Sequence, residues 1–393
     1  MAENPPTYRA LQFTSPTSPP SLVSLPTPPL TASTALVRPL RANLFAYTRD
    51  IFTNNNPRGY HYPLPIVPGS ATIGRLLTAS SDAPTLHSSS AGQLVWLDPV
   101  VRATDGSSTA ILHGLNTGPS TAGKAIGSGE WRNGSWGEVV RVPARNVHLL
   151  DENRLFGELG YGIDDLGYLQ SLMIVYGGLR DVDVRPGEVV LVAPATGSFG
   201  GAAVHVALAL GAAVIAMARN GEVLQELEEA VKGAYPSGRV KTVVMTGGVE
   251  GDLEGVKKAA RELGKRDGMV DVYFDMSPPN ASGSPHIKAG VLALRPKGRM
   301  SLMGGAAGDV GFPYYQIMLK GLRLQGSWMF TPEQVDEVIR LVEAGILKLG
   351  ETAGVKSLGV FELEEWEEAF RVAGDEARVG RFALFAPNGK DAK

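Results

Sequence analysis

Residues 189–220 read VVLVAPATGSFGGAAVHVALALGAAVIAMARN, and this stretch decides the fold. Val189 to Val192 form a short apolar run of the kind that makes a buried parallel strand. A glycine-rich turn over residues 195–201 then bends the backbone, and Ala202 to Leu210 predict a helix. Ala213 to Met217 supply a second apolar strand. The order strand, turn, helix, strand within about thirty residues predicts a βαβ unit.

The glycine turn fits a phosphate-binding loop. In the usual pattern G-x-G-x-x-G, Ala195 replaces the first glycine, and Gly197 and Gly200 hold the second and third places. Gly197 would let the main chain approach a diphosphate, and Gly200 would let the helix pack closely on the strand. We therefore assign to cofactor binding the loop residues Thr196, Gly197, Ser198, Phe199 and Gly200.

The residue after the second strand predicts which cofactor is bound. An Asp or Glu at this place hydrogen-bonds the ribose of NAD, but this chain has Arg219 followed by Asn220, and a guanidinium suits a 2′-phosphate. The sequence therefore favours NADP(H), with Arg219 and Asn220 as binding residues. The competing interpretation is an ordinary surface arginine beside a structural turn.

Composition limits the class of protein. A chain of 393 residues predicts two domains, and 37 basic against 40 acidic residues provide no field that would attract nucleic acid. The absence of cysteine excludes disulfides, thiolate catalysis and cysteine-based zinc sites. The histidines at positions 61, 87, 113, 148, 205 and 286 have no paired spacing, so we predict no metal site.

The hydropathy of the sequence does not indicate a membrane protein. Residues 1–20 are rich in Pro, Ser and Thr and lack the apolar core of a secretory signal. Gly200 to Ala218 is apolar enough to resemble a membrane span, but it contains His205 and Gly211 and is explained as a helix plus a buried strand. We therefore expect a cytoplasmic protein without a membrane partner.

Short strands without helical crossovers predict a barrel-like β domain in the first part of the chain. The predicted strands are Tyr8–Thr14, one ending at Val23, Thr34–Leu40, Gln93–Leu97 and Gly137–Val142. Between the last two, Pro99 to Trp136 is rich in Gly, Ser and Thr and predicts a long surface loop or lobe. Whether that segment is a disordered insertion or a lid is left open.

After residue 161, helices and strands alternate as in a doubly wound parallel sheet. The predicted helices are Tyr161–Val182, Glu222–Lys232, Leu253–Leu263 and His286–Leu294, and the predicted strands are Val240–Met245, Val270–Phe274, Gly298–Met303 and Leu322–Trp328. A capping box at Thr331 to Gln334 begins a further helix. Ligands of open α/β sheets bind beyond the carboxyl ends of the strands. The residues predicted to line the nicotinamide there, unless they are ordinary turn residues, are Asp275, Ser277, Met303, Gly304 and Gly305.

Together these motifs resemble the medium-chain dehydrogenase/reductase superfamily over nearly the whole chain. The resemblance is carried by Ile66 to Gly69 with Gly74, by residues 185–192 (RPGEVVLV), by Ala195 to Gly200, and by Leu322 with Gln325 to Ser327. It implies a GroES-like β domain built from both chain ends, an inserted Rossmann domain, and hydride transfer in the cleft between them. The implied domains are residues 1–155, residues 156–325, and residues 326–393 as the segment that completes the first domain.

Within the superfamily, residues 193–203 and Ser301 to Gly305 are similar to fungal isoquinoline alcohol dehydrogenase-like reductases of secondary metabolism. Zinc-dependent members carry a Cys near Tyr47 to Asp50, a Gly-His-Glu run where this chain has Gly69 to Ala71, and a four-cysteine lobe that Pro99 to Trp136 replaces. The chain therefore resembles the zinc-free quinone oxidoreductase and enoyl reductase branches.

A zinc-free site needs another group to stabilise the charge that hydride addition creates. Tyr47 replaces the lost zinc ligand by position, and a phenol can donate a hydrogen bond to an enolate and deliver a proton. The alternative is that Tyr47 only packs. Tyr62 and Tyr176 are weaker candidates for contacts with a small-molecule substrate.

Three functions stay open at this point. The first is NADPH-dependent reduction of an activated C=C bond in an enone, quinone or polyketide-type substrate; the second is ketone, alcohol or imine oxidoreduction with the same cofactor; the third is a non-redox or non-enzymatic role. The first is favoured, because ketone reduction without a Lewis acid leaves the alkoxide poorly stabilised. Relatives that dimerise join their Rossmann sheets edge to edge, which makes a homodimer through Gly298 to Trp328 one option.

Overall fold

The computed structural model describes residues 5–83, 86 and 90–393, so His87 lies outside the described residues. The chain divides into two compact units. The first contains the chain up to Gly167 together with Ser357–Ala377 and Arg381–Lys393, and the second contains Tyr168–Lys356 and Arg378–Gly380.

Strands and helices of the described residues are numbered here in chain order. The strands are β1 (Thr7–Gln12), β2 (Ser21–Pro26), β3 (Thr34–Leu44), β4 (Thr72–Ala79), β5 (Leu94–Leu97), β6 (Val100–Arg102), β7 (Ala110–Leu112), β8 (Val140–Pro143), β9 (Val147–Leu149), β10 (Val189–Ala193), β11 (Ala213–Ala218), β12 (Val240–Val244), β13 (Val270–Asp275), β14 (Leu294–Leu302), β15 (Arg323–Gly326), β16 (Lys356–Phe361) and β17 (Arg381–Phe385). The helices are α1 (Thr48–Phe52), α2 (Thr121–Ser128), α3 (Leu169–Asp181), α4 (Ser198–Ala209), α5 (Gly221–Ala234), α6 (Val249–Glu262), α7 (Pro285–Ala293), α8 (Tyr314–Lys320), α9 (Pro332–Glu343) and α10 (Trp366–Asp375).

The first unit is organised around the long strand β3, which pairs antiparallel with β4, β8 and β17. The whole sheet runs β16-β17-β3-β4-β5-β9, with β8 beside β3. An aromatic core joins the two ends of the chain: the ring of Trp136 lies 5.0 Å from that of Phe385 and 5.7 Å from that of Phe370, centroid to centroid. The β domain predicted from both chain ends is therefore confirmed.

Of the two predictions for Pro99 to Trp136, a long surface loop or a lobe, the structure fits the lobe. This segment contains β6, β7 and α2, and it is fixed to the segment before β4 by backbone hydrogen bonds, among them Thr117 N–H to His61 O at 2.6 Å and Gly134 N–H to Val67 O at 2.7 Å. A Cβ at Gly134 would lie 2.0 Å from Gly69 O. Gly134 therefore serves close packing, which sequence periodicity does not reveal.

The second unit is built on a six-stranded sheet in the order β12-β11-β10-β13-β14-β15, and every described strand pair in it is parallel. Strand β10 is buried throughout because it lies between β11 and β13 and because helices α4 and α7 pack on it. The chain moves outward from β10 to β12, then returns to the other side of β10 and continues to β15. This reversal confirms the predicted Rossmann arrangement and places a ligand crevice at the carboxyl ends of β10 and β13.

Several boundaries differ from the sequence prediction. Helix α4 begins at Ser198 rather than Ala202, because the glycine turn itself forms its first turn. The capping box at Thr331 is confirmed, but α9 belongs to the second unit: Tyr176 and Arg180 of α3 contact Glu337 of α9 at 2.5 Å and 3.3 Å. Along the chain the units change at 167/168, 356/357, 377/378 and 380/381, whereas the resemblance implies boundaries at 155/156 and 325/326.

Candidate functional site

The loop between β10 and α4 presents an uncapped helix N-terminus. Gly197 occupies the N-cap position with extended backbone (φ −84°, ψ 166°), and no described side chain caps the helix. The first turn carries no acidic residue. The N–H groups at the start of α4 and the positive end of the helix dipole are therefore available to an anion.

The three glycines of this loop have different roles. A Cβ at Gly200 would lie 2.0 Å from Pro194 O, and a Cβ at Gly201 would lie 2.0 Å from Cγ2 of Val379, so both positions are filled by the protein itself. Gly197 is exposed, and no heavy atom of the described chain lies within 4 Å of the place where its Cβ would be. Gly197 therefore leaves the space in front of the helix that a diphosphate needs, and the predicted loop residues fit a dinucleotide.

Replacing Gly197 with Ala is expected to raise the Kd for NADPH by about tenfold and to leave the melting temperature within about 2 °C. The methyl group finds free space in the protein and an allowed φ, but it occupies the approach path of the diphosphate. Isothermal titration calorimetry and thermal denaturation measure the two quantities. The matched control is Gly233→Ala, which also has no neighbour within 4 Å among the described atoms and should leave the Kd unchanged. An unaltered Kd in Gly197→Ala would place the diphosphate elsewhere.

Arg219 and Asn220 follow β11 directly, and both are exposed. Within residues 5–83, 86 and 90–393, no hydrogen bond or ion pair is seen for the Arg219 guanidinium. Its charge nevertheless lies near enough to His286 to lower the pKa of that imidazole, after the larger effect of burial. Asn220 is the N-cap of α5, and its side-chain oxygen accepts a hydrogen bond from Val223 N–H at 3.1 Å. Arg219 therefore remains the candidate for a 2′-phosphate, while the amide oxygen of Asn220 is engaged in capping.

Asp275 and Ser277 follow β13, but their side chains point into a buried network. The Asp275 carboxylate accepts hydrogen bonds from the Ser277 hydroxyl at 2.6 Å and the Tyr273 hydroxyl at 3.0 Å. Ser277 Oγ also lies 3.0 Å from His286 Nε2, and His286 Nδ1 lies 2.6 Å from Ser284 Oγ. Burial raises the pKa of Asp275, and these hydrogen bonds oppose the shift. In this conformation both side chains are engaged in the buried network, and the lining of a nicotinamide site by Asp275 and Ser277 stays a prediction.

The segment Met303 to Gly305 lies against this network. Met303 N–H donates to Asp275 O at 3.1 Å and Gly305 N–H donates to Ser277 O at 2.8 Å, so the parallel pairing continues beyond β14. A Cβ at Gly304 would lie 2.5 Å from Ser277 N, whereas no described atom lies within 4 Å of the Cβ position of Gly305. Gly304 is required by packing, and Gly305 presents open backbone at the carboxyl edge of the sheet.

Tyr47 of the first unit sits at the start of α1 in an aromatic and cationic environment. Its ring stacks on Phe45 with centroids 5.3 Å apart, and the Arg58 guanidinium lies 4.2 Å from the ring centroid. Burial raises the pKa of the Tyr47 phenol far above its usual value; the neighbouring Tyr60 adds to the shift and Arg58 opposes it. The phenol therefore stays protonated at physiological pH, and in this conformation its hydroxyl is hydrogen-bonded to Tyr60, so it would exchange that partner to donate to a substrate.

The other two predicted substrate residues are engaged in structural contacts. Tyr62 donates its hydroxyl to Ile51 O at 2.9 Å, and its ring packs on Phe52 with centroids 5.3 Å apart. Tyr176 is 3% exposed and donates its hydroxyl to Glu337 at 2.5 Å. Tyr176 thus faces α9 in this conformation, and its place in a substrate site stays a prediction.

The partners of this site that sequence reasoning missed are His286 and Ser284. They lie at the start of α7, close in sequence to Ser277, and the proximity of a Ser-x-His pair to a strand end was the available signal. A group of three or more His, Cys, Asp and Glu residues able to bind a metal ion is not found in the part of the chain that the structure describes. No described helix has both the length and the apolar character needed to cross a bilayer. The metal-free site stays a prediction.

Known proteins share this fold. Residues 199–344 match the family model described as Zinc-binding dehydrogenase. AibC superposes with a TM-score of 0.76 at 19% identity, covering 99% of each chain. A Sinorhizobium meliloti 1021 protein bound to NADP has a TM-score of 0.73 at 17% identity and covers 97% of this chain and 99% of its own. Crotonyl-CoA carboxylase/reductase AntE in complex with NADP has a TM-score of 0.73 at 16% identity and covers 98% of this chain and 96% of its own.

The family match lies entirely in the second unit and does not include the first unit. The structural likeness extends over nearly the whole of each chain and concerns the fold. Residues 199–344 are thus similar to the zinc-binding dehydrogenase family, and the chain as a whole shares the fold of these solved dehydrogenase and reductase structures.

Proposed function

We propose that this chain is a cytoplasmic, zinc-independent NADP(H)-dependent oxidoreductase that reduces an activated C=C bond in an enone, quinone or polyketide-type substrate of fungal secondary metabolism. The observation that carries the proposal is the open, uncapped start of α4 at Gly197, with the exposed guanidinium of Arg219 after the adjacent strand β11. The AntE structure, a reductase in complex with NADP, supports both the cofactor and the reaction class.

In this proposal, different residues of the chain bind different parts of the cofactor. The N–H groups at the start of α4 hold the diphosphate, Arg219 pairs with the 2′-phosphate, and the open backbone at Gly305 faces the nicotinamide. The bound cofactor supplies the hydride. Since an enolate forms when hydride adds to the β carbon of an enone, the substrate oxygen needs a hydrogen-bond donor.

Tyr47 is the proposed donor. Because its pKa is raised, the Tyr47 phenol stays neutral and keeps its proton. It can therefore donate a hydrogen bond to the enolate oxygen, and it places no second negative charge beside the enolate. Proton delivery to carbon then completes the reduction and restores the carbonyl. The cation of Arg58 over the Tyr47 ring polarises the phenol in the direction that favours donation.

The alternative activities differ in what they require. Ketone, alcohol or imine oxidoreduction would place an alkoxide or amide charge in the site, for which a metal is the usual stabiliser. Because the family model that matches residues 199–344 is described as Zinc-binding dehydrogenase, this alternative also needs a test. A non-redox or non-enzymatic role requires cofactor binding without turnover.

A substrate panel separates these functions. Purified protein, dialysed against a chelator, is mixed with NADPH and with enones, quinones, ketones or imines, and NADPH absorbance is followed. Consumption with enones or quinones that is unaffected by chelator supports the proposal. Consumption with ketones or imines that appears only after Zn²⁺ is added overturns both the zinc independence and the C=C assignment. NADPH binding without oxidation by any substrate favours the third function.

We also propose that two copies of the chain associate through the second unit. Strand β15 is the edge strand of the six-stranded sheet, and an edge strand offers unpaired backbone groups to another chain. Beside it lies a set of exposed apolar side chains, namely Tyr314 (82%), Tyr315 (63%), Met318 (59%), Leu319 (58%) and Trp328 (60%). Such a patch is characteristic of an interface.

Light scattering at micromolar concentration is expected to give twice the chain mass of 41.6 kDa. The double variant Leu319→Asp/Trp328→Asp should give a single chain, because it buries two charges in the apolar contact. Ile346→Asp is the matched control, since Ile346 is an apolar residue of the same unit that is 47% exposed and lies outside the patch. A wild-type protein that scatters as one chain would rule out the dimer.

A further inference from the structure

Helix α3 contains two adjacent glycines in its interior, Gly177 and Gly178, where glycine is unfavourable relative to alanine. Both are buried, and each is in close contact with a different segment. A Cβ at Gly177 would lie 2.2 Å from the backbone oxygen of Met329. A Cβ at Gly178 would lie 2.1 Å from Sδ of Met303 and 2.8 Å from Oγ of Ser301.

The contact at Gly178 determines where the Met303 side chain goes. Met303 is the first residue after β14, and its thioether lies on the helix surface at Gly178 rather than over the carboxyl edge of the sheet. Its backbone is held on the other side by the hydrogen bond to Asp275 O at 3.1 Å. The segment Met303 to Gly305 is therefore fixed between α3 and the strand end at Asp275.

We propose that Gly178 is a positioning residue: it receives the Met303 thioether and so keeps that side chain out of the space in front of Gly305, where the nicotinamide of NADP(H) binds. This inference rests on the proposed function. A methyl group at position 178 displaces above all the flexible end of a methionine, and it also requires a smaller shift of the buried Ser301 hydroxyl, which lies 2.8 Å from the Cβ position. The displaced thioether would then turn toward the nicotinamide half of the site.

Gly177 provides a matched control on the same helix. Its Cβ would also come closer than 2.5 Å to another atom, but that atom belongs to the backbone at Met329, which cannot move aside as a side chain does. Gly177→Ala is therefore expected to lower the melting temperature without a selective effect on the cofactor. Gly178→Ala is expected to have a smaller effect on the melting temperature and to weaken NADPH binding selectively.

The experiment compares two ligands that share the adenosine half. Kd values for NADPH and for 2′,5′-ADP, which lacks the nicotinamide, are measured by calorimetry for the wild type, Gly178→Ala and Gly177→Ala. We expect Gly178→Ala to weaken NADPH by about tenfold and to leave 2′,5′-ADP within about twofold, with the ratio of the two Kd values unchanged in Gly177→Ala. Equal Kd values for NADPH in Gly178→Ala and wild type, or equal weakening of both ligands, would overturn the inference.

A second variant makes the test independent of how well the first one folds. Truncation of the thioether in Gly178→Ala/Met303→Ala should restore NADPH affinity to within about threefold of Met303→Ala alone, because the methyl group then has space. Failure of this double variant to recover NADPH binding would also contradict the inference. If the wild type binds neither NADPH nor 2′,5′-ADP, the proposed function fails. If the wild type binds both and Gly178→Ala has the same two Kd values, only this inference fails.

Discussion

Replacing Arg219 with Asp is expected to raise the Kd for NADPH by about 100-fold and the Kd for NADH by no more than about threefold. The substitution removes a guanidinium that can bind a phosphate with two hydrogen bonds and puts a carboxylate, which repels the phosphate, in its place. Only NADPH carries the 2′-phosphate, so the loss is selective. In the described chain Arg219 is exposed and is seen in no ion pair, so the side chain does not need to leave a protein carboxylate to bind.

Two variants separate charge from other effects. Arg219→Gln removes the cation without adding an anion and should give an intermediate loss for NADPH. Arg266→Asp places the same charge change on another exposed arginine of the second unit, in the turn before β13 and thus at the amino end of a strand, and should leave both Kd values unchanged. The measurement is calorimetric titration at fixed ionic strength, because the phosphate interaction is screened by salt. Equal losses for NADPH and NADH would show that Arg219 does not bind the 2′-phosphate.

The sequence predicts the strands of the second unit more accurately than the elements of the first unit, for a physical reason. Buried parallel strands are continuous apolar runs, so β10, β11 and β13 are visible in the sequence to within one or two residues. In the first unit, strand β4 lies outside the predicted strands because its sequence begins in a glycine-containing stretch with little alternation. The connections after β7 and after α2 are held by nonlocal backbone hydrogen bonds to residues before β4, and such bonds leave no periodic pattern.

In the candidate site, the sequence predicts the positions of residues but not the directions of their side chains. The position of a residue beyond a strand end follows from topology, so Asp275 and Gly305 are found where the sequence places them. The direction of a side chain does not follow from topology. Asp275 turns inward because Ser277 and Tyr273 offer it hydrogen bonds in a buried setting, and Met303 turns toward α3 because Gly178 leaves room for it.

Tyr47→Phe is expected to lower kcat for an enone substrate by about 100-fold while the Kd for NADPH stays within about twofold. The change removes one hydroxyl group and keeps the ring, so the stacking on Phe45 and the contact with Arg58 persist. The enolate would then lose its donor at the step where negative charge develops. Because burial holds the pKa of this phenol well above its usual value, kcat in the wild type should not fall through Tyr47 ionisation between about pH 6 and pH 9.

Tyr8→Phe is the matched control for this prediction. Tyr8 is another buried phenol of the first unit, with its pKa raised by burial to about 12, and it lies in β1, away from the start of α1 in sequence. Its loss should leave kcat within about twofold, so a fall in kcat shared by both variants would indicate a general effect of removing a buried hydroxyl. Single-turnover measurements with preformed NADPH complex isolate the reduction step from product release. An unchanged single-turnover rate in Tyr47→Phe would remove Tyr47 from the mechanism and assign enolate stabilisation to another donor, because the phenol is the only group that this substitution takes away.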